Sequence, residues 1–277
     1  MTDARVTEAR VTWLSRVERF ASVGSTNDIV AGWLRDGTPE VCLAVADEQT
    51  AGRGRNGRTW TAPPGTALLA TLGFRPAYLE PAAQWRLAAI ASLAMAEAAE
   101  MLAELPAGTI RLKWPNDLVV DRSDGGRRGV RKLAGVLGET SGAGTDDPQA
   151  VIGIGVNVDW DPAEFPDALA ADMTSLAELA PGAVATTEAL LARFTSALEP
   201  LVVGLRAGSF PTEAWRDRQL TNGSIVRLER PDGSSETVRA VDVDPGSGAL
   251  VIESLLGERP ARAVTVGEIR HLRLGEV

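Results

Sequence analysis

Only two of the chain's 28 basic side chains are lysines, and both sit in short, unusual motifs. Lys113 opens Lys113-Trp114-Pro115-Asn116-Asp117, and Lys132 opens Lys132-Leu133-Ala134-Gly135. A guanidinium is a planar fork that stays charged; an ammonium is a compact point charge on a flexible stem. In a chain that uses arginine wherever a generic positive charge serves, the two remaining lysines are candidates for work that a guanidinium cannot do.

A second concentration of chemistry is the stretch Gln49 to Trp60. Gly52, Gly54 and Gly57 satisfy G-x-G-x-x-G, and Arg53, Arg55 and Arg58 alternate with them. The dinucleotide reading of that pattern requires the loop to open a helix. Here Thr59-Trp60-Thr61-Ala62-Pro63-Pro64-Gly65 follows, which is not helical, so a Rossmann site is rejected. Glycines bring backbone N–H groups close to a ligand, and arginines offer bidentate donors to carboxylate or phosphate. The segment reads as a loop that closes over an anion and stays mobile without one. A solvated basic loop, or an RG-type nucleic-acid contact, is the alternative.

Pro115 bars a helix at Trp114, so Lys113 to Asp117 reads as an abrupt turn at a strand end. Lys132 stands at the entrance of the next strand. Gly153-Ile154-Gly155-Val156-Asn157 puts two glycines and Asn157 on one face of a strand. Glycine at alternate positions leaves a trench for a ligand or another backbone, or marks a β-bulge.

These residues need elements to hold them. The chain up to Phe20 reads as a short lead-in helix or arm. Ser25-Thr26-Asn27-Asp28 reads as N-cap chemistry for a helix that stops near Gly37. Buried strands are expected at 41–46 and 67–74, with the Gly/Arg loop between them. Pro81 marks the first turn of a long helix to about Leu105. Strands then follow at 109–114, 117–121, 133–140 and 151–158, with a hairpin-like turn at Asp124-Gly125-Gly126. Strands in succession after a helix imply an α+β fold with a mixed, largely antiparallel central sheet and packed helices, rather than a doubly wound one. Helices are expected at 186–206 and 212–219. From Asn222 the pattern becomes five short strands with tight turns, which suggests a small SH3-like β-barrel. The domains are set at 1–220 and 221–277.

Bulk properties narrow the function. The chain has 277 residues and a formal net charge of −9, which argues against a protein built to bind nucleic acid or an anionic membrane. Its basic residues cluster at Arg53, Arg55 and Arg58, and again at Arg127, Arg128, Arg131 and Lys132. Two local basic loops on an acidic protein suit a small anionic ligand. One cysteine, Cys42, and one histidine, His271, support neither a disulfide, nor a zinc site, nor a Ser-His or Cys-His catalytic pair. No apolar run approaches the roughly 20 residues of a membrane span, and the first ten residues lack a signal-peptide core. A cytoplasmic location is expected.

Taken together, Ser25-Thr26-Asn27, the G-R-G-R-N-G-R stretch, K-W-P-N-D, K-L-A-G and G-I-G-V-N resemble the biotin protein ligases, also called biotin–[acetyl-CoA-carboxylase] ligases, in order and spacing. The resemblance runs from about Phe20 through the C-terminal β-domain. It implies a class II synthetase-like ligase fold and a two-step reaction. Biotin and Mg-ATP give biotinyl-5′-AMP and pyrophosphate, and the biotinyl group then passes to a lysine of the biotin carboxyl carrier domain of an acyl-CoA carboxylase. Matched by motif, Ser25, Thr26, Asn27, Gln49, Arg53, Gly54, Arg55 and Lys132 would bind biotin. Arg55, Arg58, Trp60, Lys113, Asn116 and Asn157 would serve the nucleotide, with Trp60 and Asn157 near the adenine and Lys113 near the phosphates. Lys132, Arg55 and Asp117 would be catalytic, Lys132 as electrostatic catalyst and Asp117 as base for the acceptor lysine. No protein-bound metal site is implied; Mg2+ would come with ATP. Only 24 residues precede Ser25, too few for a helix-turn-helix domain, so no specific DNA binding is expected. A monomer or weak homodimer is expected. Lipoate ligase or octanoyl transferase is the nearest alternative, disfavoured by the polar Ser-Thr-Asn and Gln49 set. A non-catalytic biotin sensor is disfavoured by the two lysines.

Overall fold

A computed structural model describes residues 13–124, 127–255, 260–265 and 268–271. Among these described residues, twelve strands form two sheets and five α-helices accompany them. The larger sheet has seven strands in the order β1-β2-β3-β7-β6-β5-β4. These are β1 (Arg16–Phe20), β2 (Cys42–Ala46), β3 (Ala67–Phe74), β4 (Ile110–Lys113), β5 (Asp117–Asp124), β6 (Arg127–Ser141) and β7 (Gln149–Asn157). Every neighbouring pair is antiparallel except β1 with β2.

The period of two divides the sheet cleanly. Leu43 and Val45 of β2, Leu68, Ala70, Leu72 and Phe74 of β3, Ile152, Ile154 and Val156 of β7, and Ala134 and Val136 of β6 face the main core. That core is closed by α2 (Trp85–Leu102) and α4 (Thr187–Arg206). The opposite face is shared. Near β2 it is covered by α1 (Thr26–Arg35), where Val30, Trp33 and Leu34 pack on Cys42, Ala44 and Val151. Farther along, Gly155 and Gly135 lie on this face and line a cavity. Burial on both sides explains why β3 is apolar throughout apart from Thr71 and Gly73.

Several expectations are corrected. The lead-in is a strand, β1, because Arg16 to Phe20 alternates in exposure and pairs with β2; residues 1–12 lie outside the described set. Pro81 begins a 3-10 turn, and the α-helix proper starts at Trp85. The expected basic loop 121–131 is a long hairpin, with β5 and β6 paired as far as Asp124↔Arg127; Gly125 and Gly126 lie outside the described residues. Lys132 is therefore inside β6 rather than at its entrance. A short helix, α3 (Leu176–Leu179), was not expected; α5 spans Thr212–Asp217.

The smaller sheet holds β8 (Ile225–Glu229), β9 (Ser235–Val243), β10 (Leu250–Ser254), β11 (Arg262–Val264) and β12 (Glu268–His271). It is antiparallel in the order β11-β10-β9-β8-β12, and among the described residues it is open, with no β11–β12 pairing to close a barrel. Its inner residues Val226, Leu228, Ala240, Leu250 and Ile252 join the main core. Among the described residues no helix is long and apolar enough to cross a membrane.

Candidate active site

One cavity of about 550 Å³ gathers every residue matched by motif to biotin, nucleotide or catalysis: Ser25, Thr26, Asn27, Gln49, Arg53, Gly54, Arg55, Arg58, Trp60, Lys113, Asn116, Asp117, Lys132 and Asn157; Gly52 and Arg131 are not in its lining. That volume is in the range of small-molecule and cofactor sites. Its floor is the shared face of the large sheet, and strand register arranges the floor in rows. One row runs Thr71, Gly153, Leu137; the next runs Gly155, Gly135, Asp117.

The first row supports α1. Ser25 occupies the N-cap position with extended backbone, but its hydroxyl makes no capping bond and lines the cavity instead. The Gln49 Oε1 atom accepts from the Thr26 N–H at 2.8 Å and lies 2.9 Å from the Thr26 hydroxyl, whose single proton can instead go to Thr71 and so leave the Thr71 proton for Asn27 Oδ1. Thr71 Oγ1 lies 2.7 Å from both Thr26 Oγ1 and Asn27 Oδ1. Asn27 donates through Nδ2 to Glu139 at 2.6 Å. Its carboxamide fills the space over Gly153, where an added Cβ would stand 2.3 Å from Oδ1.

In the second row, the trench over the alternate glycines is filled by Trp60. A Cβ on Gly155 would lie 2.5 Å from Trp60 Cε2, and one on Gly135 3.3 Å from Cζ3. The Lys132 ammonium lies 5.4 Å from the Trp60 ring centroid, within cation–π range. It also contacts Asp117 at 2.6 Å, while Lys113 reaches the other Asp117 oxygen at 3.9 Å. Both lysines of the chain thus converge on one carboxylate.

A β-bulge makes this possible. Val119 pairs with Lys132 but Leu118 pairs with Ala134, so the register shifts by one residue on β6. By strict alternation Lys132 would share the core face of Ala134 and Val136. The shift re-aims it to the Gly135 face, where Nζ stands 3.1 Å from the place a Gly135 Cβ would take. The backbone is pinned there by Lys132 N–H to Asp172 O at 2.7 Å and Thr174 N–H to Lys132 O at 2.9 Å.

The Gly/Arg segment is a small hairpin. Gly54 N–H bonds Arg58 O at 2.7 Å, Trp60 N–H bonds Gly52 O at 3.0 Å, and Arg55–Gly57 make a 3-10 turn with Asn56 and Gly57 at positive φ. The Arg53 guanidinium binds Asp28 bidentately at 2.9 and 2.8 Å and Glu139 at 3.3 Å. These bonds hold the Asp28 carboxyl below the usual carboxylate range against a smaller opposing effect of burial, and raise Arg53 in turn. The positive charge of the segment is therefore partly neutralised by partners on α1 and β6. Asn116 uses its side-chain amide on Val136 O at 2.8 Å, so it braces the K-W-P-N-D turn against β6.

Three buried polar atoms of wall residues have no partner among the described residues: the indole donors Trp60 Nε1 and Trp160 Nε1, and the acceptor Asn157 Oδ1. Asn157 Nδ2 is bonded to Thr174 O at 2.9 Å, which orients the free oxygen. Such groups are the usual anchors for a polar ligand. Among the described residues no group of three His, Cys, Asp or Glu could hold a metal ion.

Several site residues escaped the sequence reading. Thr71 could have been found as the one polar side chain, apart from glycine, in an otherwise apolar strand. Asp28 and Glu139 carried no such signal. Trp160, Leu169 and Met173 form part of the wall, and Ile269 of β12 brings the smaller sheet to it.

The fold is that of the biotin protein ligases. It superposes on the ligase from Aquifex aeolicus in complex with biotin and ATP with a TM-score of 0.74, at 24% identity, covering 94% of this chain and 100% of that one. Residues 20–157 match the biotin/lipoate A/B protein ligase family. The biotin–[acetyl-CoA-carboxylase] ligase of Mycobacterium tuberculosis is 32% identical over 93% of this chain and 90% of its own length. The bifunctional ligase/repressor BirA of Escherichia coli is 39% identical over 49% of this chain and 38% of its own. The chain belongs to the biotin/lipoate A/B protein ligase family.

Proposed function

We propose that the chain activates biotin with ATP to biotinyl-5′-AMP and transfers the biotinyl group to one lysine of a biotin carboxyl carrier domain. The observation that carries this reading is the convergence of Lys132 and Lys113 on Asp117, in one cavity with a polar pocket at one end and an aromatic platform at the other.

In the first step a biotin carboxylate oxygen attacks the α-phosphorus. A carbon-bound oxygen joins phosphorus, the bond to the β-phosphate oxygen breaks, and pyrophosphate leaves. Two anions must approach, so fixed positive charge where negative charge develops lowers the barrier. Lys132 supplies it at the bond-forming centre, Lys113 on the phosphate side, with Arg55 and Arg58 from the hairpin. Ser25, Thr26, Asn27, Gln49 and Gly54 shape the head-group end. Arg53, engaged by Asp28 and Glu139, serves it by holding the hairpin closed. Trp60 offers a stacking face, and with Asn157 a donor and an acceptor suited to adenine; Asn116 keeps the turn in place. The hairpin covers the mixed anhydride from water. The donor set fits Mg2+ carried by the triphosphate rather than a resident ion, since Asp117 is already paired with both lysines.

In the second step the acceptor amine attacks the acyl carbon and AMP leaves. Asp117 is the carboxylate placed to take the amine proton. The domain division near Leu220, and closure of the smaller sheet as an SH3-like unit, belong to the same reading. So do a monomer or weak homodimer in the cytoplasm without specific DNA binding.

Incubation with biotin, ATP and an apo carrier domain tests the reading by mass spectrometry. One biotinyl addition on a single carrier lysine is expected, and no addition would refute the reading. Given preformed biotinyl-5′-AMP, Asp117→Asn should transfer at least tenfold more slowly; a wild-type rate removes Asp117 as base.

A further inference from the structure

We infer that Glu139 is a positioning residue that sets the orientation of the Asn27 carboxamide at the head-group end of the cavity. The inference rests on the biotin reading above. Asn27 is buried, and each end of its amide meets a different partner: Nδ2 faces Glu139 at 2.6 Å, and Oδ1 faces the fully buried Thr71 hydroxyl at 2.7 Å.

An ionised carboxylate only accepts hydrogen bonds, so it can face the amide nitrogen and not the amide oxygen. A flipped Asn27 would set its oxygen against the Glu139 carboxylate. Thr71 alone does not choose, because a hydroxyl can donate or accept. Glu139 therefore decides which way the amide points. In the chosen orientation one Nδ2 hydrogen and one Oδ1 lone pair remain. A cyclic urea, with N–H donors beside a carbonyl acceptor, can use both, and a disulfide ring can use neither.

The same carboxylate touches Arg53 at 3.3 Å, but Arg53 is already held bidentately by Asp28. Losing Glu139 leaves that anchor in place, so its removal should fall on the head group. Glu139→Gln keeps an acceptor oxygen for Asn27 Nδ2, and Glu139→Ala does not.

The test is steady-state pyrophosphate release with biotin and ATP varied in turn. Glu139→Ala should raise the biotin KM about tenfold, the loss of roughly one oriented charge-assisted hydrogen bond. Its ATP KM and kcat should stay within about twofold, and Glu139→Gln should recover the biotin KM to within about threefold. An unchanged biotin KM in Glu139→Ala, a fall in kcat alone, or a Gln variant as impaired as Ala would overturn the role. Absence of biotin-dependent pyrophosphate release in the wild type would instead refute the ligase reading itself.

Discussion

Asp117 holds Lys132 at 2.6 Å and Lys113 at 3.9 Å, so an anionic ligand that reaches either lysine competes with this carboxylate. Lys132 is also fitted tightly over Gly135 and beside the Trp60 ring. A guanidinium is wider and planar, and does not fit this space with its charge in the same place. Lys132→Arg should therefore slow adenylate formation by about 10²-fold or more, the scale of losing one preorganised charge contact. Lys113→Arg, at a position whose ammonium makes only the longer 3.9 Å contact to Asp117, should lose about tenfold. Single-turnover adenylation checks both, and near-normal rates would return the lysines to coincidence. Gly155 makes a second prediction at this scale. A methyl there would overlap Trp60 and tilt the ring off the floor. Stacking of a base on an aromatic ring contributes about 1–3 kcal/mol, so Gly155→Ala should raise the ATP KM roughly tenfold with a smaller effect on biotin affinity. Of these residues, the lysines, the glycine pair and the arginines were legible as motifs. Asp28 and Glu139 were not, because an exposed acidic side chain becomes informative only when its partner is brought to it from far along the chain.

Elements carry the site through register. Strand alternation in β3, β6 and β7 assigns one face to the core and the other to the cavity, and in the sequence that division was legible only along Gly153-Ile154-Gly155-Val156-Asn157. The bulge that re-aims Lys132 was not, since its only trace is a pairing offset between β5 and β6. The K-W-P-N-D turn depends likewise on a distant partner. The buried Trp114 N–H bonds the Thr221 hydroxyl at 3.0 Å, and its indole N–H bonds Gly248 O at 3.1 Å. The smaller sheet and its lead-in thus hold the turn that presents Lys113 and Asp117. Thr221→Val keeps the shape but leaves the buried N–H unpaired, at a cost of about 1–3 kcal/mol. Lower stability in denaturant and a reduced adenylation kcat are expected, with biotin affinity retained; full activity would show that the turn holds itself.

At the scale of the whole molecule, the two sheets share one core and one cavity. Ile269 brings the wall of the site from a strand more than 100 residues beyond Lys132 in sequence. The α+β class and the succession of elements followed from periodicity and turn residues. The strand β1 and the open order of the smaller sheet did not, because both depend on long-range pairing. A cavity lined by Arg53, Arg55, Arg58, Lys113 and Lys132 suits a small anionic substrate with ATP, and the polar head-group end favours a ureido ring over a dithiolane. ATP–pyrophosphate exchange with biotin or lipoate as the added acid tests this most directly. Exchange that depends on biotin and is absent with lipoate is the predicted result. Exchange with lipoate instead, or tight biotin binding without exchange, would contradict it.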